Sequence, residues 1–406
     1  AVPGGTDDQV SGGAFAAGVA AVADVLNTAL ATLGLARAGN DHIDVVGGND
    51  TVAGDALATG TDAAATAHND ADATGDSVGA AEAGNDTIDA ASGGVGDVLA
   101  GEAASASSDG GNATARNEAT ATGVDSTAIT GRDEILASLG HDTIAGGAYA
   151  AGEGSTAEVD NVATAGGDAW ASAGAGNDSI TSGSGDNLVA GEALTTGDYG
   201  VSDWHNQWTA TDGATATAGN DLITAGIGAD SISGDAAADG AYGTATSLNE
   251  ASASSYAGAG NDFINADHGL NVLAGDASAT GDYGTSTSTN NATTGAGLAE
   301  SGNDLIYGGD DADIISGGAL AAGVGGTATA YNTATADATV VGGFGGSASA
   351  AGNDTVYGYE GENLIAGDAI TSNAACGDAT SNNTATTDAA VSGDATVVCY
   401  LDTFAT

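Results

Sequence analysis

The sequence has no lysine, three arginines (Arg37, Arg116 and Arg132), one proline, two cysteines and few aromatic residues, 4% in all. Each scarcity removes a class of function. Nucleic acid and anionic membrane surfaces attract clustered Lys and Arg. Here 55 Asp and Glu residues give a formal charge of −52, so neither is expected as a partner. Without lysine there is no P-loop, no Schiff-base chemistry and no lysine isopeptide bond. No run approaches the roughly 20 apolar residues that span a bilayer. Cys376 and Cys399 both lie near the C-terminus. A disulfide pinning that end in an oxidising compartment is expected, with free thiols or a bond between protomers as alternatives.

A thick core is excluded as well. Hydrophobic residues reach 42% only because alanine is abundant, and such a composition builds thin layers of Ala, Thr, Val and Ile. A charge this high ordinarily means disorder. The acids, however, recur at fixed places beside Ile and Val, which favours an ordered fold held together by cations.

What the chain does have is a recurring phrase. Gly-Asn-Asp-x-Ile or a close variant begins at Gly39, Gly84, Gly131, Gly176, Gly219, Gly260, Gly302 and Gly352, in steps of 45, 47, 45, 43, 41, 42 and 50 residues. Periods of this size belong to solenoids and stacked repeats. Self-similarity therefore overrides the two or three domains that the length alone suggests. Residues 1–406 are expected to form a single elongated all-β, parallel β-solenoid of about nine coils. It divides into a partial coil over 1–38, eight repeats over 39–392 and the strand of an incomplete coil over 393–406. The spacing permits one coil or two rungs per repeat.

Counting the glycine of each phrase as zero, Asp stands at +2 in all eight repeats and Ile or Val at +4. Residues two apart share one side of an extended strand. A looser copy follows roughly nine residues later, as in Gly47-Gly-Asn-Asp-Thr-Val52 and Gly226-Ile-Gly-Ala-Asp-Ser-Ile232. Its apolar position is also always filled, by Val52, Leu99, Ile144, Val189, Ile232, Leu273, Ile315 and Ile365.

Two Gly-rich turns followed by short strands resemble the RTX (haemolysin-type) calcium-binding repeat, G-G-x-G-x-D-x-U-x, whose nonapeptides wind a parallel β-roll. The resemblance implies multiple Ca²⁺ ions. It places them at Asp41, Asp86, Asp133, Asp178, Asp221, Asp262, Asp304 and Asp354, and at second-copy Asp50, Asp97, Asp142, Asp230 and Asp313. Asn187, Asn271 and Asn363 occupy the second-copy position in three repeats. Those sites are expected to be weaker, or to rely on Asp186, Asp267 and Glu362. Arg132 replaces the usual Asn of the third phrase, and its guanidinium is expected to compete with the cation there.

The nonapeptides cover less than half of each repeat. The remainder opens with Ala/Ser-Gly-Asp/Glu-Ala, which adds an acid in six of the eight repeats: Asp55, Glu102, Glu192, Asp235, Asp276 and Asp368. Runs of alternating small residues follow, as in Thr327-Ala-Thr-Ala330, and between them stands an asparagine: Asn69, Asn117, Asn161, Asn206, Asn249, Asn290, Asn332 and Asn382. Asn suits both a left-handed turn and a stacked amide ladder.

Stacked strands lie about 4.8 Å apart, so one rung per repeat puts the Asp column at that spacing. Each neighbouring pair then repels by roughly 0.8 kcal/mol in water and about 3 kcal/mol at an effective dielectric of 20. Hard divalent cations reverse the sign. Oxygen ligands without His or Cys clusters favour Ca²⁺ over Zn²⁺, and many carboxylates in flexible geometry favour it over Mg²⁺. Cytosolic calcium would leave such sites largely empty, so an extracellular or cell-surface location is expected.

Ser11-Gly-Gly-Ala-Phe-Ala-Ala-Gly-Val19 matches Ser316-Gly-Gly-Ala-Leu-Ala-Ala-Gly-Val324 almost letter for letter, so the chain enters its first coil partway. Gly393-Asp-Ala-Thr-Val-Val398 starts another coil. One end wants a strand and the other offers one. The expected function is therefore structural: a calcium-stabilised solenoid that polymerises head-to-tail into a filament, surface layer or matrix fibre. Trp170, Trp204 and Trp208 suggest a local apolar plug near the Asn206 turn, a lateral contact between filaments or a sugar-stacking platform. The alternative is a calcium-dependent adhesin or an ice-binding module, since arrays such as Thr285-Ser-Thr-Ser-Thr289 suit ordered water or a ligand. An ice-binding face requires Thr at one outward position in nearly every coil, and the equivalent positions hold Ala, Glu, Trp, Ser and Asp as well. Gly75-Asp-Ser-Val-Gly79 fits a nucleophile pattern but falls in a variable loop, and the five histidines show no paired-ligand spacing. No enzymatic activity is expected.

Overall fold

A computed structural model describes residues 9–387, with breaks at 19–20, 32–33, 45–50, 62, 75–78, 91–97, 110, 123–126, 138–140, 154, 167–171, 211–214, 254–255, 268, 281–282, 284, 295–297, 309–312, 323–326, 337–347, 352–353, 358–363, 367–368 and 373–377. The described residues contain strands and no α-helix. The first coil consists of β1 (Gln9–Ser11), β2 (Ala14–Ala17), β3 (Val22–Ala31), β4 (Gly34–Ala38) and β5 (His42–Asp44). The second repeats the five as Thr51–Ala53, Ala56–Gly60, Ala64–Thr74, Gly79–Ala83 and Thr87–Ala90. Each strand pairs in parallel with its counterpart one repeat away. Five sheets result, of nine, nine, nine, eight and eight strands in the order β1 to β5. One repeat is thus one coil, and eight five-stranded coils are followed by three strands of a ninth.

The cross-section has two lobes, because two kinds of side chain point inward. In the first and fifth sheets the inward positions are large and branched. Ile43, Ile88, Ile135, Ile180, Ile223, Ile264 and Ile306 stack along the axis and face Val52, Leu99, Ile144, Val189, Ile232, Leu273 and Ile315. These are the two apolar columns at the phrase and its looser copy. In the second, third and fourth sheets the inward residue is almost always alanine, as in the strand Asn112–Thr122, where Ala113, Ala115, Ala119 and Ala121 are buried. Alternation with period two turns Ala inward and Thr, Asp or Glu outward. The small side chains let three sheets close over a lumen filled by two alanine-rich clusters.

The conserved-looking asparagine sits in the middle of the long third-sheet strands, not at a turn. The register runs Asn27, Asn69, Asn117, Asn161, Asn206, Asn249, Asn290, Asn332 and then Asn383. Asn383 therefore continues the column in place of Asn382, because the last repeat carries one more residue between its phrase and this strand. Nor does Trp204 flank a turn. It lies in the strand Val201–Ala210, between Val159 and Ser247 of the adjacent coils, and is buried in the alanine lobe. Trp170, Cys376, Cys399 and the Gly75–Val78 part of the nucleophile-like pattern fall outside the described residues.

Candidate metal centre

A polar seam separates the two lobes, and the Gly-Asn-Asp phrase builds one side of it. Its glycine has a left-handed backbone, with φ 56° at Gly84 and 52° at Gly176. A side chain at Gly84 would also collide with the Asn117 amide of the next coil. The tight turn leads into the fifth-sheet strand, and the Asp at +2 points inward with the Ile at +4. Asp86, Asp133, Asp178, Asp221, Asp262 and Asp304 are all buried.

Along this column each carboxylate serves the coil before it. The Asp41 N–H donates to Asp86 Oδ1 at 2.6 Å, Asp86 N–H to Asp133 Oδ1 at 2.6 Å and Asp133 N–H to Asp178 Oδ1 at 2.7 Å. The series continues through Asp221, Asp262 and Asp304 to Asp354. The second oxygen, Oδ2, of Asp86, Asp133, Asp178, Asp221, Asp262 and Asp304 is buried with no hydrogen-bond partner.

The facing side of the seam is the corner between the first and second sheets, made by Ala/Ser-Gly-Asp/Glu-Ala. Its glycine brings backbone against the column: a Cβ on Gly101 would overlap Asp133 Oδ2 and the Gly146 carbonyl. Its acid is wholly buried at Asp55, Glu102, Asp235 and Asp276, and nearly so at Glu192. The asparagine column holds these acids. Asn69 Nδ2 donates to Asp55 at 2.7 Å, Asn117 Nδ2 to Glu102 at 2.6 Å, Asn249 Nδ2 to Asp235 at 3.1 Å and Asn290 Nδ2 to Asp276 at 3.0 Å. Ser247 and Ser288 add hydroxyl donors to Asp235 and Asp276.

Among the described residues, two groups of three carboxylates converge across the seam. Asp221, Asp235 and Asp262 present oxygens within 4.8 Å of one another, and so do Asp262, Asp276 and Asp304. The resemblance points to the aspartates of the phrase and of its second copy, not to the corner acids. The corner acids that complete each group were visible only as an acid recurring after glycine at a constant offset. Which residue they meet depends on how the coil closes.

Burial pushes these carboxyls upward, and neighbouring negative charge adds to it. Asp86, Asp133, Asp178, Asp262, Asp304, Asp235, Glu102 and Glu192 are raised well above the ordinary range. Burial raises Asp221 to about 8 and Asp55 to about 6. The seam thus offers hard oxygen donors, partnerless buried oxygens and an excess of negative charge that repels itself. This donor set fits Ca²⁺, a cation that takes six to eight oxygen ligands in flexible geometry.

The second-copy column is built differently. Asp142, Asn187, Asp230, Asn271 and Asp313 alternate, and each of the last four accepts at Oδ1 from the preceding member's N–H at 3.0–3.1 Å. Asn187 Nδ2 donates to the Gly185 carbonyl and to Asp230 Oδ1, both at 3.0 Å, and Asn271 Nδ2 donates to the Gly308 carbonyl at 2.8 Å. An amide thus supplies hydrogens within these turns. The expected substitutes do not enter the column, since Asp186 and Asp267 are exposed on the outer side. Burial raises Asp230 to about 6. Asp50, Asp97, Asn363 and Glu362 lie outside the described residues.

Arg132 does not occupy the cation's place. The +1 position points outward, where Asn177, Asn220, Asn261 and Asn303 form a ladder of their own. Arg132 takes its backbone part in that row, donating N–H to Asn85 Oδ1, while its side chain is exposed. Asp133 remains in the buried column.

The fold and seam define a parallel β-solenoid whose coils are joined through luminal carboxylates. Residues 35–56, 128–148, 164–193, 214–244, 254–279, 298–320 and 349–369 match the family model of the RTX calcium-binding nonapeptide repeat (four copies). Seven stretches of the chain thus match RTX calcium-binding repeats, and they are embedded in a longer coil that the family model does not cover. The repeat at Gly84 lies outside the matched stretches, yet its Asp86 holds the same place in the column. No curated protein and no solved structure matches the chain.

Proposed function

We propose that this protein is a non-enzymatic, calcium-stabilised scaffold that works outside the cell, at the surface or in a matrix, and stacks end to end with copies of itself. The observation that carries the calcium part is the row of buried Oδ2 atoms without partners, one per coil, opposite the corner acids. Every such row multiplies like charge along the axis, and only a cation concentration typical of extracellular fluid keeps weak oxygen sites filled.

Support for stacking comes from the first coil. Among the described residues its strands each pair on one side. No proline or lysine stands within these five strands, and an unpaired strand edge is a template for a further strand. Leu26 and Leu30 are 72% and 71% exposed on it, where later coils carry residues such as His68 and Asp72 in register. Electron microscopy and sedimentation of the full chain, with calcium and with a chelator, test the reading. Filaments that dissolve on chelation are expected. A calcium-loaded sample that stays monomeric at high concentration defeats the assembly part.

One observation favours the second reading, an ice- or ligand-binding face. The register aligns Thr120, Thr164, Thr209, Ser252, Thr293, Thr335 and Thr386 in one column of the third sheet. Hydroxyl residues thus do recur at one position over seven coils, with Thr164, Thr209 and Ser252 exposed. Thermal hysteresis and ice-shaping by the calcium-loaded protein measure this directly. Their absence leaves the scaffold reading alone.

A further inference from the structure

The corner acids run Asp55, Glu102, Gly147, Glu192, Asp235 and Asp276 from the second coil to the seventh. Glutamate occurs in this column only on the two sides of Gly147. The missing side chain leaves a gap in the fourth coil, and the longer acids turn into it from both neighbours. A Cβ at Gly147 would stand 2.8 Å from the Val159 Cγ2 methyl on its apolar side, 2.9 Å from Glu192 Oε2 and 3.1 Å from Glu102 Oε2. Glu102 is wholly buried, and its Oε2 has no hydrogen-bond partner, while its Oε1 accepts from Asn117. Glu192 is also buried, and its Oε1 lies 3.4 Å from Asn161 Nδ2. Asp178 is the next carboxylate along, with its partnerless Oδ2 against Gly146, the residue before the gap.

We propose that the gap at Gly147 is a separate cation site, in which Glu102 and Glu192 hold one divalent ion of the calcium type across a whole intervening coil. It differs from the aspartate triads in both reach and span. The triads join acids of adjacent coils, whereas this pair links the third coil to the fifth. Ca²⁺ contacts oxygen at about 2.3–2.6 Å, and the two carboxylate oxygens approach the same space beside the Gly147 backbone from the coils before and after it. Aspartate at either place falls one methylene short, which is the chemical reason for glutamate here. Burial, and after it the charge of Asp178 among other neighbouring carboxylates, pushes both glutamates well above the ordinary range.

The proposal rests on the reading that the luminal acids bind cations, and its test separates the two. Crystals of the full chain grown with terbium in place of calcium locate the ions by anomalous diffraction. A peak between Glu102 and Glu192 is expected in addition to peaks in the Asp221–Asp235–Asp262 group. Glu102→Asp with Glu192→Asp removes only the former. In solution, equilibrium dialysis with elemental analysis reads the loss of one bound calcium per chain in the Glu102→Gln, Glu192→Gln double variant. Peaks in the aspartate triads with none at Gly147, or an unchanged calcium count in the double variant, overturn the proposal. Peaks in neither place overturn the reading of the seam as a cation site, and this proposal with it.

Discussion

At the scale of the residue, the fold depends on a few positions whose two neighbours along the axis are copies of themselves. Ile180 is such a position, buried between Ile135 and Ile223 in the fifth sheet. Ile180→Ala opens a cavity in a lobe only two side chains thick, and a loss of about 2–5 kcal/mol is expected. Leu222, next in line to Ile223, points outward and is 47% exposed, so Leu222→Ala shifts stability by less than about 0.5 kcal/mol. Denaturant unfolding of the calcium-loaded chain checks both. These columns were legible in the sequence, because a left-handed glycine followed by Asp and Ile at fixed offsets is local turn chemistry. The corner acids were visible as a pattern but not as ligands. Their meeting with the Asp column is a long-range contact across the lumen, and spacing along one dimension carries no record of it.

At the scale of the element, the corner between the second and third sheets shows what repetition makes tolerable. Tyr199, Tyr242 and Tyr283 hold φ of 60–61°, a left-handed conformation rare for a bulky residue, and stack ring on ring at 5.1 Å through three successive coils. The backbone strain costs about 1–2 kcal/mol per residue, and stacking offsets it by about 0.5–1.5 kcal/mol per ring pair. Tyr242 belongs to both pairs. Tyr242→Ala keeps the strain and loses both contacts, whereas Tyr242→Gly loses the contacts and relieves the strain. The glycine variant is therefore expected to be the more stable of the two by about 1 kcal/mol, as read by thermal unfolding at fixed calcium. The asparagine reading failed at this same scale in one respect. Asn was suited to a turn or to a ladder, and the third-sheet strands of ten or eleven residues made it a ladder. A side chain that serves two backbone states leaves the choice to the sheet around it.

At the scale of the whole molecule, the seam ties stability to pH and calcium together. Its carboxyls are raised in the folded state, Asp55 to about 6 and Asp221 to about 8, chiefly by burial. A raised carboxyl binds its proton more tightly when folded than when unfolded. Its contribution is therefore present at low pH and is lost as pH rises through the folded value. The calcium-free chain is expected to be most stable at or below about pH 4 and to weaken as pH rises from there, through about 6 for Asp55 and about 8 for Asp221, opposite to ordinary acid denaturation. Calcium competes with those protons, so its stabilising effect grows over the same interval. Thermal melts from pH 5 to 8, with chelator and with millimolar calcium, show two curves that diverge as pH rises. Curves that stay parallel contradict a luminal calcium site. That the repeat is one coil, and that five sheets enclose two lobes, was beyond the sequence, since a period of this length fits one large turn or two small ones equally well.

The asparagine ladder also has a mechanical meaning. Amide hydrogen bonds link Asn27 through Asn69 and Asn117 to Asn161, and again link Asn249 through Asn290 to Asn332. At the coil of Trp204 the succession stops, for Asn206 donates instead to the Ala175 carbonyl and its Oδ1 has no partner. A rod pulled along its axis loads every link between two coils at once and parts where the links are fewest. This fault line, on the two faces of the tryptophan-bearing coil, is where tension is expected to divide the molecule into two stiff segments.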